Sequence, residues 1–158
     1  MTAHDKAVEY LNAQVRIHCP RTKVEDLTDA ELDVLVAEKV KGWTLVRCTS
    51  GGNVVVGFDE DTRRSCLICP PEGWSGDDAW RPSTDIACAF QVDKPEWEWF
   101  FGEKGDDLHA NVYVASEESG VYTVVVPLDP ANKTAAYCRG RCIAACYACG
   151  VTEVEEDL

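Results

Sequence analysis

The sequence predicts an α+β fold in a single domain, with helices packed on an antiparallel sheet. Three observations carry that expectation. A length of 158 residues suits one hydrophobic core and leaves little room for a second. Two stretches with apolar residues at helical spacing, Thr28 to Val40 and Thr134 to Cys149, stand at the two ends of the core region. Between them lie two groups of β-branched and aromatic segments, Trp43 to Phe58 and Trp97 to Val126, each broken by turn residues.

Taken in order, residues 3–15 have Ala7, Leu11 and Val15 at steps of four, which predicts a short helix ending before Cys19-Pro20. Residues 1–26 are assigned to an N-terminal helical extension, residues 27–150 to the main domain and residues 151–158 to a solvated acidic tail. In the Thr28–Val40 helix, Thr28 and Glu31 form a capping box and Leu32, Leu35, Val36 and Val40 share a face. Trp43–Cys48 and Asn53–Phe58 then read as a hairpin around Ser50-Gly51-Gly52, and Ser65–Cys69 as a further strand. Two prolines, two glycines and two tryptophans make residues 70–80 a loop that carries apolar surface over its neighbours. After Pro82, a hydroxyl of Ser83 or Thr84 is placed to cap a short helix. Asp85 complements the dipole in its first turn, and Ile86, Ala89 and Phe90 form a buried stripe. Trp97–Phe101, Ala110–Ala115 and Val121–Val126 extend one antiparallel sheet. The last helix starts near Asp129-Pro130 and stops at Gly150.

Charge excludes one class of partner. With 15 Lys and Arg against 28 Asp and Glu, the net charge is −13, which repels polyanions and argues against a DNA- or RNA-binding surface. No apolar run reaches the roughly 18 residues needed to cross a bilayer, and Met1 to Leu11 lacks the pattern of a signal peptide, so a cytoplasmic protein with no membrane partner is expected. The odd count of nine cysteines then favours reduced thiols.

Chemistry-bearing patterns are few. Cys138, Cys142, Cys146 and Cys149 resemble a metal comb. On one helix, however, the first and last lie on the order of 16 Å apart at ~1.5 Å rise per residue, so they cannot share one ion and read as core packing. Cys66-Leu67-Ile68-Cys69 is the better half-site for zinc or a redox pair, if a turn brings the two sulfurs together. His109 reads as a solvated group in a turn beside Asp106 and Asp107. No nucleophile elbow, phosphate loop or His-Glu-x-x-His is present. No cofactor, metal or catalytic residue is assigned, and a binding protein is expected rather than an enzyme.

Binding chemistry is richer. Trp97, Trp99 and Phe101 alternate onto one strand face, Asn111 and Tyr113 lie on the next strand, and Arg139 and Arg141 interrupt an otherwise apolar helix. Aromatic faces stack on nucleobases, an amide pairs with a base edge, and guanidinium groups hold phosphates. The same residues also fit a plainer role: aromatics as core, arginines as a surface or subunit-interface pair.

Three segments resemble the phage ABA-sandwich family in order and approximate position. They are Thr28-Asp29-Ala30-Glu31-Leu32-Asp33-Val34-Leu35-Val36-Ala37-Glu38 followed by Gly42-Trp43, Pro82-Ser83-Thr84-Asp85-Ile86-Ala87-Cys88-Ala89-Phe90, and Cys142-Ile143-Ala144-Ala145-Cys146-Tyr147-Ala148-Cys149-Gly150. That architecture is similar to the Thoeris anti-defence sponges, which sequester cyclic ADP-ribose signals, and in some cases cyclic oligonucleotides, without cleaving them. The resemblance implies a homo-oligomer in the cytoplasm of a bacterial host, with pockets between subunits. It also implies a ligand site built from Phe101, Asn111, Arg139 and Arg141, with Trp99 and Tyr113 as neighbours. An Arg139→Ala, Arg141→Ala double variant is then expected to lose ligand and keep its melting temperature. The alternatives are a phage accessory protein that binds a host protein through its acidic surface, and a nucleotide-degrading enzyme.

Overall fold

Short-range chemistry sets the first helix. In the computed structural model, which describes residues 21–48, 54–70, 74, 78–103, 109–118 and 120–155 together with Ala3, the Thr28 hydroxyl accepts from Glu31 N and the Glu31 carboxylate accepts from Thr28 N. This capping box opens helix α1, Asp29–Lys39. Its apolar face buries Leu32, Leu35 and Val36. Before it, strand β1 (Arg21–Lys23) leads into one 3₁₀ turn, Val24–Asp26.

Strands β2 (Thr44–Cys48), β3 (Val54–Asp59) and β4 (Arg64–Cys69) follow as a meander. A four-residue helix, α2 (Ile86–Ala89), precedes β5 (Glu98–Glu103), β6 (His109–Ser116) and β7 (Gly120–Pro127). Helix α3 (Lys133–Ala148) and strand β8 (Glu153–Glu155) complete the described chain. The class is α+β, as the sequence predicts.

The single sheet expected from sequence does not form. The strands divide into a β2-β3-β4 sheet, a β5-β6-β7 sheet and a two-stranded β1-β8 pair, antiparallel throughout. The helix pair accounts for the split: α3 packs on β6 and β7, while α1 packs on α3 and on β4, so each three-stranded sheet meets its own helix. Small residues bring α3 close to its sheet. A Cβ on Gly140 would overlap Val112 and lie 3.4 Å from Val126 Cγ1, so only glycine allows this approach.

Two terminal assignments also change. Residues 21–23, expected in the extension, pair with residues 153–155, expected in a solvated tail, Arg21 opposite Glu155 and Lys23 opposite Glu153. Val24, next to that pair, is fully buried. The rest of the extension, the Ser50-Gly51-Gly52 turn and Asp106-Asp107 lie outside the described residues.

The Pro82–Phe90 segment is a cap of a different kind from the one expected. Asp85, not a hydroxyl, is the N-cap, accepting from Ala87 N at 2.9 Å and Cys88 N at 3.3 Å. Ser83 is buried and tied to α1: its N–H donates to Asp33 Oδ1 at 2.8 Å and its hydroxyl donates to Asp29 O at 3.2 Å. Only Ala89 of the expected stripe is buried. Ile86 is 36% exposed and Phe90 is 59% exposed. Within the 70–80 loop, Trp80 is buried against Trp43, with ring centroids 4.6 Å apart, so the loop does place apolar surface on the core. Helix α3 begins later than expected, at Lys133, where Asn132 Oδ1 accepts from Ala135 N.

Candidate functional site

The cysteine-rich face of α3 is core. Cys138, Cys142 and Cys146 recur every four residues and are buried. Burial pushes the Cys138 thiol up to about 11 and the Cys146 thiol up to about 12, and it raises Cys142 well above the ordinary range, so these sulfurs stay protonated. Cys66 and Cys69 do not sit in a turn but along β4, where a bulge leaves them opposite Gly57 and Val55, and both pack against the core. Cys69 Sγ donates to Ala30 O, and burial raises both thiols. No group of three or more His, Cys, Asp or Glu side chains converges on a metal position among the described residues. His109 is the first residue of β6 and half-buried, not a solvated turn residue.

Register decides the faces of the β5-β6-β7 sheet. Trp99 lies opposite Val114, and Phe101 opposite Val112. Directly paired residues share a face, and Val112 and Val114 are buried under α3, so Trp99 and Phe101 are on the helix side. Asn111 pairs with Gly102 and Val125, and Tyr113 with Phe100 and Thr123, which places both on the opposite face. The sheet therefore separates the six residues expected to form one site.

The two arginines separate as well. They are two positions apart on a helix, which points them in roughly opposite directions. Arg139 turns toward α1: Nη1 donates to Asp29 Oδ1 at 2.8 Å, and Nη2 donates to Glu25 O at 3.0 Å and Leu27 O at 2.6 Å. Arg141 turns toward α2 and is 4% exposed. Its Nε donates to Ala89 O at 2.9 Å and Val92 O at 3.1 Å, and its Nη1 donates to Tyr137 Oη at 2.9 Å. Ala89 and Phe90 close α2, whose last carbonyls have no partner inside the helix. Arg141 thus caps α2 from a neighbouring helix.

What does converge is aromatic. The Arg141 guanidinium carbon lies 4.0 Å from the Trp99 ring centroid, 5.7 Å from Phe90 and 5.9 Å from Tyr137. Phe101 meets Tyr137 edge to face, centroids 5.2 Å apart at 82°, and Phe90 approaches the same ring at 6.1 Å. Trp99 Nε1 donates to Asp93 Oδ1 at 2.8 Å, which fixes the indole. Phe90 and Phe101, 59% and 39% exposed, form the outer surface of this patch. Of the expected site residues, Trp99, Phe101 and Arg141 meet here; Asn111, Tyr113 and Arg139 do not. Phe90, expected in a buried stripe, and Tyr137, not singled out, join them. Tyr137 stands four residues before Arg141 on the helix, a spacing that places the two side chains together and is visible in sequence.

A separate open cleft of about 810 Å³ is lined by Glu96, Glu98, Ala115, Ser116, Glu117 and Glu118, at the start of β5 and the β6-β7 turn. No helix among the described residues is long and apolar enough to cross a membrane. No family model matches the chain, and no curated protein or solved structure matches it either.

Proposed function

We propose that this chain is a non-enzymatic, phage-encoded sponge that binds a cyclic nucleotide immune signal and holds it intact, acting in the cytoplasm of a bacterial host as a homo-oligomer. The observation that carries the reading is the aromatic patch, in which Phe90 and Phe101 stay exposed around Tyr137, backed by the Arg141–Trp99 stack. Exposed rings held edge to face offer a rigid stacking surface for a purine, and stacking needs neither a metal nor a catalytic base. Arg141 contributes by holding the rings, because its donors already face backbone carbonyls and the Tyr137 hydroxyl. Silencing a signal by stoichiometry requires tight binding and sufficient copies, not turnover.

The test is retention and release. Full-length protein is mixed with cyclic ADP-ribose in slight molar deficit and filtered; the retained fraction is then heated and the released nucleotide identified. Intact ligand, freed only by heating, is the expected result. Ligand that passes the filter refutes binding, and altered ligand makes the protein an enzyme. Phe101→Ala should weaken retention about 5- to 150-fold, since one base–aromatic stack is worth ~1–3 kcal/mol, while leaving the fold intact. A second reading, binding of a host protein through acidic surface, draws on the cleft that Glu96, Glu98, Glu117 and Glu118 line. Retention of a basic protein, with no retention of nucleotide, would favour it.

A further inference from the structure

We propose that β7 is a self-pairing edge: two copies of the chain join their β7 strands antiparallel about a two-fold axis at Thr123, turning two three-stranded sheets into one six-stranded sheet. The inference names a surface for the assembly proposed above, and it rests on the strand alone, not on what the aromatic patch binds.

The order β5-β6-β7 leaves β7 at an edge, with the N–H and C=O groups of alternate residues directed away from β6. Exposed edges are normally blunted by charge, by a covering segment or by brevity. The other edges of the two three-stranded sheets follow that rule. Strand β5 carries Glu98 and Glu103 at its ends, and β2 carries Arg47. On β4, Leu67 N donates to Asp78 O at 2.9 Å and Leu67 O accepts from Trp80 N at 2.8 Å, so a neighbouring segment occupies that edge. Among the described residues strand β7 has neither charge nor a covering segment, and its one blunting residue, Pro127, stands at its very end. It runs eight residues, Gly-Val-Tyr-Thr-Val-Val-Val-Pro, without one charge. Yet 27% of the chain is charged. Val121 and Val125 on its outer face are 68% and 48% exposed.

Symmetry selects the occupant. A two-fold axis at Thr123 sets Thr123 opposite Thr123, Val121 opposite Val125 and Tyr122 opposite Val124 of the second copy. These central pairs are all β-branched or aromatic, Gly120 opposite Val126 lies at the margin, and each is repeated by the symmetry. No like charges oppose one another along the strand. This matters for a chain of net charge −13, whose copies repel at long range. Added salt should therefore strengthen this association, whereas it would weaken capture of a basic partner strand.

Sedimentation of the full-length protein at roughly 50 μM is expected to give a dimer, or an even-numbered assembly built from it, of a 17.4 kDa chain. Thr123→Lys, which sets two ammonium groups face to face, should at least halve the assembly. It changes the net charge from −13 to −12, so general repulsion cannot explain the loss. Circular dichroism checks that the variant is folded. Thr123→Cys is the second variant: mild oxidation should yield a covalent dimer on a non-reducing gel, above the wild-type background. A wild-type monomer, a folded Thr123→Lys variant of unchanged mass, or a folded Thr123→Cys variant that does not cross-link would each overturn the proposal. Nucleotide retention is a separate readout: a wild-type monomer would also remove the homo-oligomer from the proposed function, whereas an assembly that does not use β7 would leave that function untouched.

Discussion

Replacing Arg141 by alanine should destabilise the protein by about 3–4 kcal/mol, with nothing bound. The magnitude follows from its partners. Nε serves the carbonyls of Ala89 and Val92 at 2.9 and 3.1 Å, and Nη1 serves Tyr137 Oη at 2.9 Å. Hydrogen bonds from a charged donor contribute ~1.5–3 kcal/mol each, and the sum is reduced here because one Nε–H serves both carbonyls and Ala89 O also accepts from Val92 N at 3.0 Å. Alanine also removes the cation stacked 4.0 Å from the Trp99 centroid. For a chain of this size ~1 kcal/mol corresponds to about 2–4 °C, so the melting temperature should fall by roughly 6–16 °C. Thermal and urea unfolding followed by circular dichroism measure it. Arg141→Lys, which keeps charge but not the planar fork, should fall between wild type and alanine. Arg139→Ala, at a partly exposed site, should lose only about 1–2 kcal/mol. If Arg141→Ala melted within two or so degrees of wild type (~1 kcal/mol or less), the structural role assigned to this side chain would be wrong. The expectation that both arginines can be removed without thermal consequence would then be restored.

Two further outcomes follow from buried contacts. Burial lifts the Asp33 carboxyl to about 7, against the Ser83 N–H that favours its charged form, so the folded state holds this proton more tightly than the unfolded chain. Its contribution to stability is thus fullest below the unfolded value near 4 and is lost as pH rises to about 7. Asp33→Asn, whose Oδ1 still accepts from Ser83, should gain on wild type by up to roughly 4 kcal/mol between pH 4 and pH 8; an equal difference at both ends of that range refutes the assignment. Gly140→Ala should destabilise by about 1–3 kcal/mol in urea titration despite alanine's higher helix propensity, because the new methyl overlaps Val112; an unchanged or raised midpoint would show that β6 yields easily.

What the sequence made legible was local. The Thr28–Glu31 box, the presence of strands β2 to β7 and the stop of the last helix at Gly150 depend on neighbours within a few positions, and the helix and strand periods report them directly. The cap of α2 was misplaced by two residues because Ser83, a good cap by composition, is drawn to Asp29 and Asp33 some fifty positions away. Sheet division and face assignment were hidden for the same reason. Trp99 and Asn111 sit on opposite faces only through a register that no short motif encodes. Arg139 and Arg141 looked like ligand groups because a cation in an apolar helix needs a partner. Most of the partners are main-chain carbonyls, which leave no trace in the order of side chains.

The β1-β8 pair joins Arg21 to Glu155 across almost the whole described chain. Loop closure of that length is among the slower steps a domain takes. During synthesis, the ribosome must release α3 and then β8 before β1 has anything to pair with, whatever the two sheets have already done. The residues of that ladder therefore decide when folding can finish, and a nascent chain halted before Thr152 holds Val24 without the carbonyl that anchors its N–H.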